Sequence, residues 1–127
     1  PVPTEQKVTA LIHDLGPERL AYLLDVDPAQ LVRWRRGDGI DEANASRVDL
    51  LEAVMASLLR LFPIEAAQRW LVGLNPELGD RRPADLIRRG RSHEVLDAVA
   101  SARAISSRDL AAVFRPKADG TPNPARL

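Results

Sequence analysis

Residues 20–37, LAYLLDVDPAQLVRWRRG, set the architecture of everything around them. Leu20, Leu23 and Leu24 fall on one side of a short helix. Asp27 can accept hydrogen bonds from the first free N–H groups of a second helix, and Pro28 fits its first position, where no N–H is needed. That second helix turns Leu31 and Trp34 inward and stops at Gly37. Two short helices therefore meet across a tight turn around the apolar Val26.

Toward the N-terminus, Val8, Leu11, Ile12 and Leu15 repeat at helical spacing until Gly16-Pro17 ends the run. Toward the C-terminus the spacing predicts the longest helix of the chain, over roughly residues 41–62. Val48, Leu51, Met55, Leu58 and Phe62 step by threes and fours, and Leu50, Val54, Leu59 and Leu61 widen the stripe. Such a stripe exceeds what one small neighbour covers, so the helix is expected to be central to the core or to form a dimer seam, and a homodimer is expected.

Pro63 breaks the pattern and Ile64, Ala67, Trp70 and Leu71 resume it. Gly73-Leu74-Asn75-Pro76 and Gly79-Asp80 are turn chemistry. Pro83 opens a short helix containing Leu86 and Ile87, and Gly90 closes it. Ser92 caps a helix with Val95, Leu96 and Val99, and Ser106 or Ser107 is expected to cap a last short one holding Leu110 and Val113. From Arg115 onward, Pro116, Gly120, Pro122 and Pro124 with few apolar residues read as a flexible tail. No stretch alternates with period two for long enough to make a strand, so the fold class is all-α, with expected units at 1–62, 63–105 and 106–127.

Composition narrows the function. With 127 residues, 45% of them hydrophobic, the chain can bury a core but cannot house a multidomain enzyme. It has no cysteine, which removes disulfides and zinc ribbons and fits a cytoplasmic location. No apolar run approaches the ~18 residues of a membrane span. The 18 basic and 18 acidic residues cancel, yet residues 1–62 carry net −3 and residues 63–127 net +3. An acidic N-terminal half opposes strong phosphate binding by a monomer.

Catalytic signals are weak. Ser92 and His93 are neighbours at a helix start, a geometry that does not set an imidazole against the hydroxyl as a base. His13 lies beside the apolar positions of the first helix. Asp25 with Asp27, and Asp41 with Glu42, sit at helix caps. No phosphate loop or metal-ligand spacing occurs, so no catalytic residue, metal or cofactor is expected.

The two short helices of residues 20–37 have the layout of a helix-turn-helix, whose second helix enters the major groove with its N-terminal outward residues at the base edges. Gln30 and Arg33 suit that role, an amide for adenine and a guanidinium for guanine, while Arg35 and Arg36 can reach phosphate. Asp25, Asp27, Asp38, Asp41 and Glu42 surround the arginines and repel phosphate. The run from Leu23 to Gly37 resembles the Xre-type helix-turn-helix, loosely at its glycine end, where Asp38 follows the glycine.

A second stretch, residues 69–99, RWLVGLNPELGDRRPADLIRRGRSHEVLDAV, resembles the toxin-binding domain of the Xre/MbcA/ParS antitoxin family. Trp70, Asn75, Leu78, Pro83, Asp85, Leu86, Gly90 and Val95 occupy the matching positions. The resemblance implies an antitoxin of a type II toxin–antitoxin system. Its partner is then a RES-domain toxin that consumes NAD, which it neutralises by occluding the NAD pocket. A homodimer whose helix-turn-helix binds the operator DNA of its own operon is implied as well. The dense group Arg81, Arg82, Arg88, Arg89 and Arg91, with Asp85, is the candidate toxin-binding patch, because guanidinium groups pair bidentately with carboxylates and are enriched at interface hot spots. Asp85 is expected to cap its helix or to pair with Arg81, Arg82, Arg88 or Arg89. Asn75, Pro76, Pro83 and Gly90 set shape. The alternative is a free-standing Xre-like transcriptional regulator whose C-terminal half only dimerises, and a third reading is a structural adaptor with no role at DNA.

Overall fold

A computed structural model describes the backbone of residues 2–113 and side chains through residue 103. It is all-helical: α1 (Thr4–Leu15), α2 (Pro17–Leu24), α3 (Pro28–Arg35), α4 (Glu42–Leu61), α5 (Ile64–Val72), a 3₁₀ turn (Pro76–Leu78), α6 (Pro83–Arg88) and α7 (Ser92–Val113).

Each of the short helices stops for a local reason. Gly16 takes φ 83° after α1, and Pro17 starts α2 at once. Helix α2 ends on Asp25, a non-glycine residue in the left-handed region at φ 55°. There the Val26 N–H donates to Ala21 O at 3.0 Å and the Asp25 N–H to Tyr22 O at 3.1 Å, closing the last turn. Asp27 then caps α3 by accepting from the Ala29 N–H at 2.9 Å. At the far end of α3 the Asp38 N–H returns to Arg33 O at 3.1 Å across Gly37, and after α6 the Arg91 N–H returns to Leu86 O at 2.8 Å across Gly90.

The apolar positions assemble into one core. Val8, Leu11 and Leu15 of α1, Leu20, Leu23 and Leu24 of α2, and Leu31 and Trp34 of α3 pack with Val48, Leu51, Val54, Met55 and Leu58 of α4. The same cluster continues through Ala67, Leu71 and Leu78 to Leu86, Ile87, Val95 and Val99. Pro63 is thus a bend in the chain across which the core runs on. Helix α4 packs most extensively against α7 and also against α1.

One expectation is corrected, and of the two places expected for the stripe of α4 the core is the one it takes. The helix expected after Ser106 is the continuation of α7, which at 22 residues is longer than the 20-residue α4. Ser106 and Ser107 lie inside it. The broad stripe of α4 is covered within the chain, with Leu61 and Phe62 half-buried against the core and only Leu59 substantially exposed, at 39%. Its width therefore makes no demand for a second copy. The expected tail, from Arg115 onward, lies outside the described residues.

One polar side chain joins distant elements. Arg47, partly buried near the start of α4, donates through Nη1 to Leu24 O at 2.6 Å and through Nη2 to Leu23 O at 3.4 Å, at the end of α2. The same Nη2 donates to Ile87 O at 3.2 Å and Arg88 O at 2.9 Å, at the end of α6. The last carbonyls of a helix have no partner inside it and carry the negative end of its dipole, so a planar cation with several donors serves two helix ends at once.

Replacing Arg47 by Met keeps the stem and removes the donors. It should destabilise the fold by about 3 kcal/mol and lower the melting temperature by on the order of 10 °C in a circular dichroism melt. Arg47→Lys should recover little of this, since one ammonium cannot face both helix ends. A second prediction concerns α4's N-terminus, where the Asn44 side-chain amide donates to Asp41 at 2.7 Å and the Asn44 backbone N–H at 3.2 Å. The side-chain bond first and the backbone bond second hold the Asp41 carboxyl below its ordinary range. A depressed folded-state value means that the stabilisation is complete above the unfolded-state value and is lost as pH falls through the folded one. Asp41→Asn should therefore flatten the loss of stability between about pH 5 and about pH 3, measured as urea midpoints at each pH.

Candidate functional site

Of the six residues of the candidate toxin-binding patch, Asp85, Arg88 and Arg89 stand where α6 docks onto α2, whereas Arg81, Arg82 and Arg91 turn to the 3₁₀ turn, the end of α5 and the start of α7. Arg88, at the end of α6, donates through Nη1 to Tyr22 O at 2.6 Å and pairs through Nη2 with Asp25 Oδ1 at 2.9 Å. Its guanidinium carbon stands 4.3 Å from the centroid of the Tyr22 ring, a cation–π stack. The Tyr22 hydroxyl donates to Asp85 Oδ1 at 3.3 Å. Asp85 was expected to pair with a neighbouring arginine or to cap its helix, and it does neither. It sits in the first turn of α6, with its carboxylate directed across to α2.

The remaining arginines divide sharply. Arg81 Nε donates to Leu78 O at 2.7 Å, and its Nη2 lies 3.8 Å from Glu94. Arg82 Nε donates to Val72 O at 3.0 Å, at the end of α5. Arg91 grips Glu94 through two nitrogens, Nη2 at 2.8 Å and Nε on the other carboxylate oxygen. These hydrogen bonds hold Glu94 below the usual carboxylate range; the charges of Arg91 and Arg81 add to the effect and partial desolvation opposes it. Arg89 is exposed and makes no side-chain hydrogen bond or ion pair among the described residues. The patch is thus five residues engaged within the chain and one arginine facing solvent.

The loop ahead of α6 is fixed by Asn75. Its side chain accepts from the Glu77 N–H at 2.9 Å, its backbone N–H donates to Arg81 O at 3.0 Å, and its carbonyl accepts from the N–H groups of Leu78 and Asp80. Asp80 takes φ 59° beside Gly79 at φ 67° to complete the turn. This brings Arg81 and Arg82 back beside the ends of the 3₁₀ turn and of α5.

Helix α3 forms a second candidate surface. Leu31 and Trp34, each 1% exposed, anchor it, and Ala29, Val32, Arg33 and Arg36 lie along its open face. Gln30 is half-buried, and its Oε1 accepts from Arg33 Nη2 at 2.7 Å. Arg35 and Arg36 are exposed. Of the five acidic residues around this helix, Asp27 and Asp41 are occupied as caps and Asp25 is paired with Arg88.

Two residues that matter here escaped sequence reasoning. Arg47 falls four residues before the buried Leu51 and seven before the buried Val54, so a lone arginine on a buried stripe was its available signal. Tyr22 lies one residue off the Leu20–Leu23–Leu24 face, with nothing in its spacing to indicate that α6 would dock on it.

No family model matches the chain. The mycobacterial cidal antitoxin MbcA of Mycobacterium tuberculosis and that of Mycobacterium bovis are each 32% identical to it over 92 residues, which covers 70% of this chain and 81% of theirs. A chain in the crystal structure of the M. tuberculosis MbcT–MbcA toxin–antitoxin complex superposes with a TM-score of 0.65 at 29% identity, covering 76% of this chain and 90% of that one. Sequence and fold thus agree along most of both molecules, and the chain belongs to the MbcA antitoxin family.

Proposed function

We propose that this chain neutralises a RES-domain, NAD-consuming toxin by binding it directly and covering its NAD pocket, in the cytoplasm where that toxin acts. The observation that carries this reading is the match, over nine-tenths of its length, to a chain solved in complex with a toxin. The local chemistry agrees with it. Asp85, Arg88 and Arg89 line one groove beside Tyr22, Arg81 and Arg91 gather on Glu94, and Arg89, exposed and held by nothing among the described residues, is the free donor for a toxin carboxylate. The guanidinium groups already tied down contribute field and shape at little further entropic cost.

The same reading includes a homodimer that represses its own operon through α3. The exposed Arg33, held in place by Gln30, and the exposed Arg35 and Arg36 support it. The short distance between Gln30 and Arg33 recasts Gln30 as a residue that orients a base-reading arginine.

Growth of cells expressing the toxin of the same operon should be arrested, and co-expression of the full chain should restore it. Arg82→Glu with Arg89→Glu should weaken rescue by placing negative charge where a toxin carboxylate is expected, while the purified variant keeps its helical spectrum. Failure of the full-length wild type to restore growth would end this reading. For DNA, Arg33→Ala should weaken binding to the upstream region by about 1–3 kcal/mol and relax its sequence preference. Arg35→Ala should weaken all sequences alike and flatten the salt dependence. Gel mobility across a salt series measures both, and absence of any shift at low salt removes the operator from the proposal.

A further inference from the structure

The arginines cannot be the energetic centre of a protein contact if most are already bonded inside the chain, and another feature beside them is better suited. Tyr22, Val72 and Leu74 are exposed by 48%, 55% and 62%, unusually high values for large apolar residues. Tyr22 and Val72 line one cleft of about 60 Å³ between α2, α5 and α6, and Leu74 follows Val72 by two residues. The floor of this cleft is apolar and buried: Leu23, Leu71 and Ala84 are exposed by 3%, 2% and 5%. The other exposed large apolar side chains, Val2, Val32 and Leu59, stand on separate elements.

The rim carries both signs with an excess of cations. Arg19 lines the cleft itself, Arg19 and Arg69 share the adjoining groove of about 250 Å³ with Glu65, and Arg88 and Arg89 line the groove on the other side of Tyr22 with Asp25 and Asp85. Asp25 is taken up by Arg88 and Asp85 by Tyr22, which leaves Arg19, Arg69 and Arg89 against Glu65. An apolar centre with more arginine than carboxylate left unpaired at its rim, and an aromatic side chain held in place by a cation–π stack and a hydrogen bond, is the arrangement from which protein contacts draw most of their affinity. Charge complementarity selects the occupant: an aliphatic or aromatic side chain flanked by carboxylates.

We propose that this cleft, lined by Tyr22 and Val72 and continued along the chain by the exposed Leu74, is the principal docking point for the toxin, which inserts an apolar side chain there and sets acidic residues against Arg19, Arg69 and Arg89. The proposal rests on the reading of the chain as a toxin-binding antitoxin and adds to it the position and chemistry of the contact. The tethered arginines steer the encounter, and the cleft holds the complex together.

The test uses the purified full chain and the purified toxin of the same operon, with affinity and dissociation rate measured by biolayer interferometry and self-association by light scattering. Val72→Asp and Leu74→Asp alter exposed side chains, so helical content and melting temperature should stay at wild-type values. Should Val72→Asp disturb α5, Leu74→Asp in the following loop carries the test alone. Each should weaken toxin binding by at least about thirtyfold, chiefly through faster dissociation, whereas Arg89→Ala should change affinity by less than about threefold. Wild-type affinity in both aspartate variants overturns the docking point and leaves the antitoxin reading standing. Loss of self-association with unchanged toxin affinity assigns the cleft to a second copy and overturns the proposal as well. Failure of the wild type to bind toxin removes both readings together.

Discussion

The guanidinium of Arg47 meets the open carbonyl ends of two helices, and the rest of the molecule is arranged around that meeting. Helices α2 and α6 belong to sequence blocks that read as separate modules, the first a helix-turn-helix and the second a short proline-initiated helix beyond the bend at Pro63. Their C-termini converge on one cation, at 2.6 Å from Leu24 O and 2.9 Å from Arg88 O. Carbonyls at a helix end facing protein cost free energy unless something donates to them, and the two ends would also repel each other through their like partial charges. Arg47 removes both penalties. Arg88 adds a second tie in the opposite direction, from α6 back to the turn after α2.

These ties explain why arginine dominates the basic residues of the folded part. Arg47, Arg81, Arg82 and Arg88 all donate to backbone carbonyls, at sites where a chain reverses or a helix stops. A lysine at any of them would offer a point charge without the fork of donors that spans two acceptors. In a chain whose net charge is zero, arginine is thus as much a structural residue as an interaction residue, which shifts attention for binding toward the apolar cleft that the tied arginines frame.

What could be read from the sequence was whatever depends on neighbours in the chain. The starts and stops of α1, α2, α3 and α6 follow from Gly16-Pro17, Asp27-Pro28, Gly37 and Pro83 to Gly90, because caps and left-handed turns are settled within a few residues. The periodicity of α4 was equally plain. Which of its two expected places the stripe takes was not, since nothing local announces that α7 packs against it, and Ser106-Ser107, which reads as a cap, lies inside α7. The same limit applies to the site. Residues 69–99 carry the family resemblance in their turn residues, but the direction of Asp85 toward Tyr22, and the engagement of Arg88, depend on a docking 63 or more residues away in the chain.

Because Arg47 and Arg88 bind the two blocks into one body, the molecule has few ways to open in part. A protease that needs an unfolded segment meets a single opening equilibrium for residues on both sides of Pro63, so cleavage follows the stability of the whole fold. Turnover then removes complete molecules and leaves no surviving half. For an antitoxin, the supply of inhibitor and the supply of helix-turn-helix would decay on one clock, at a rate set by the free energy of the shared core.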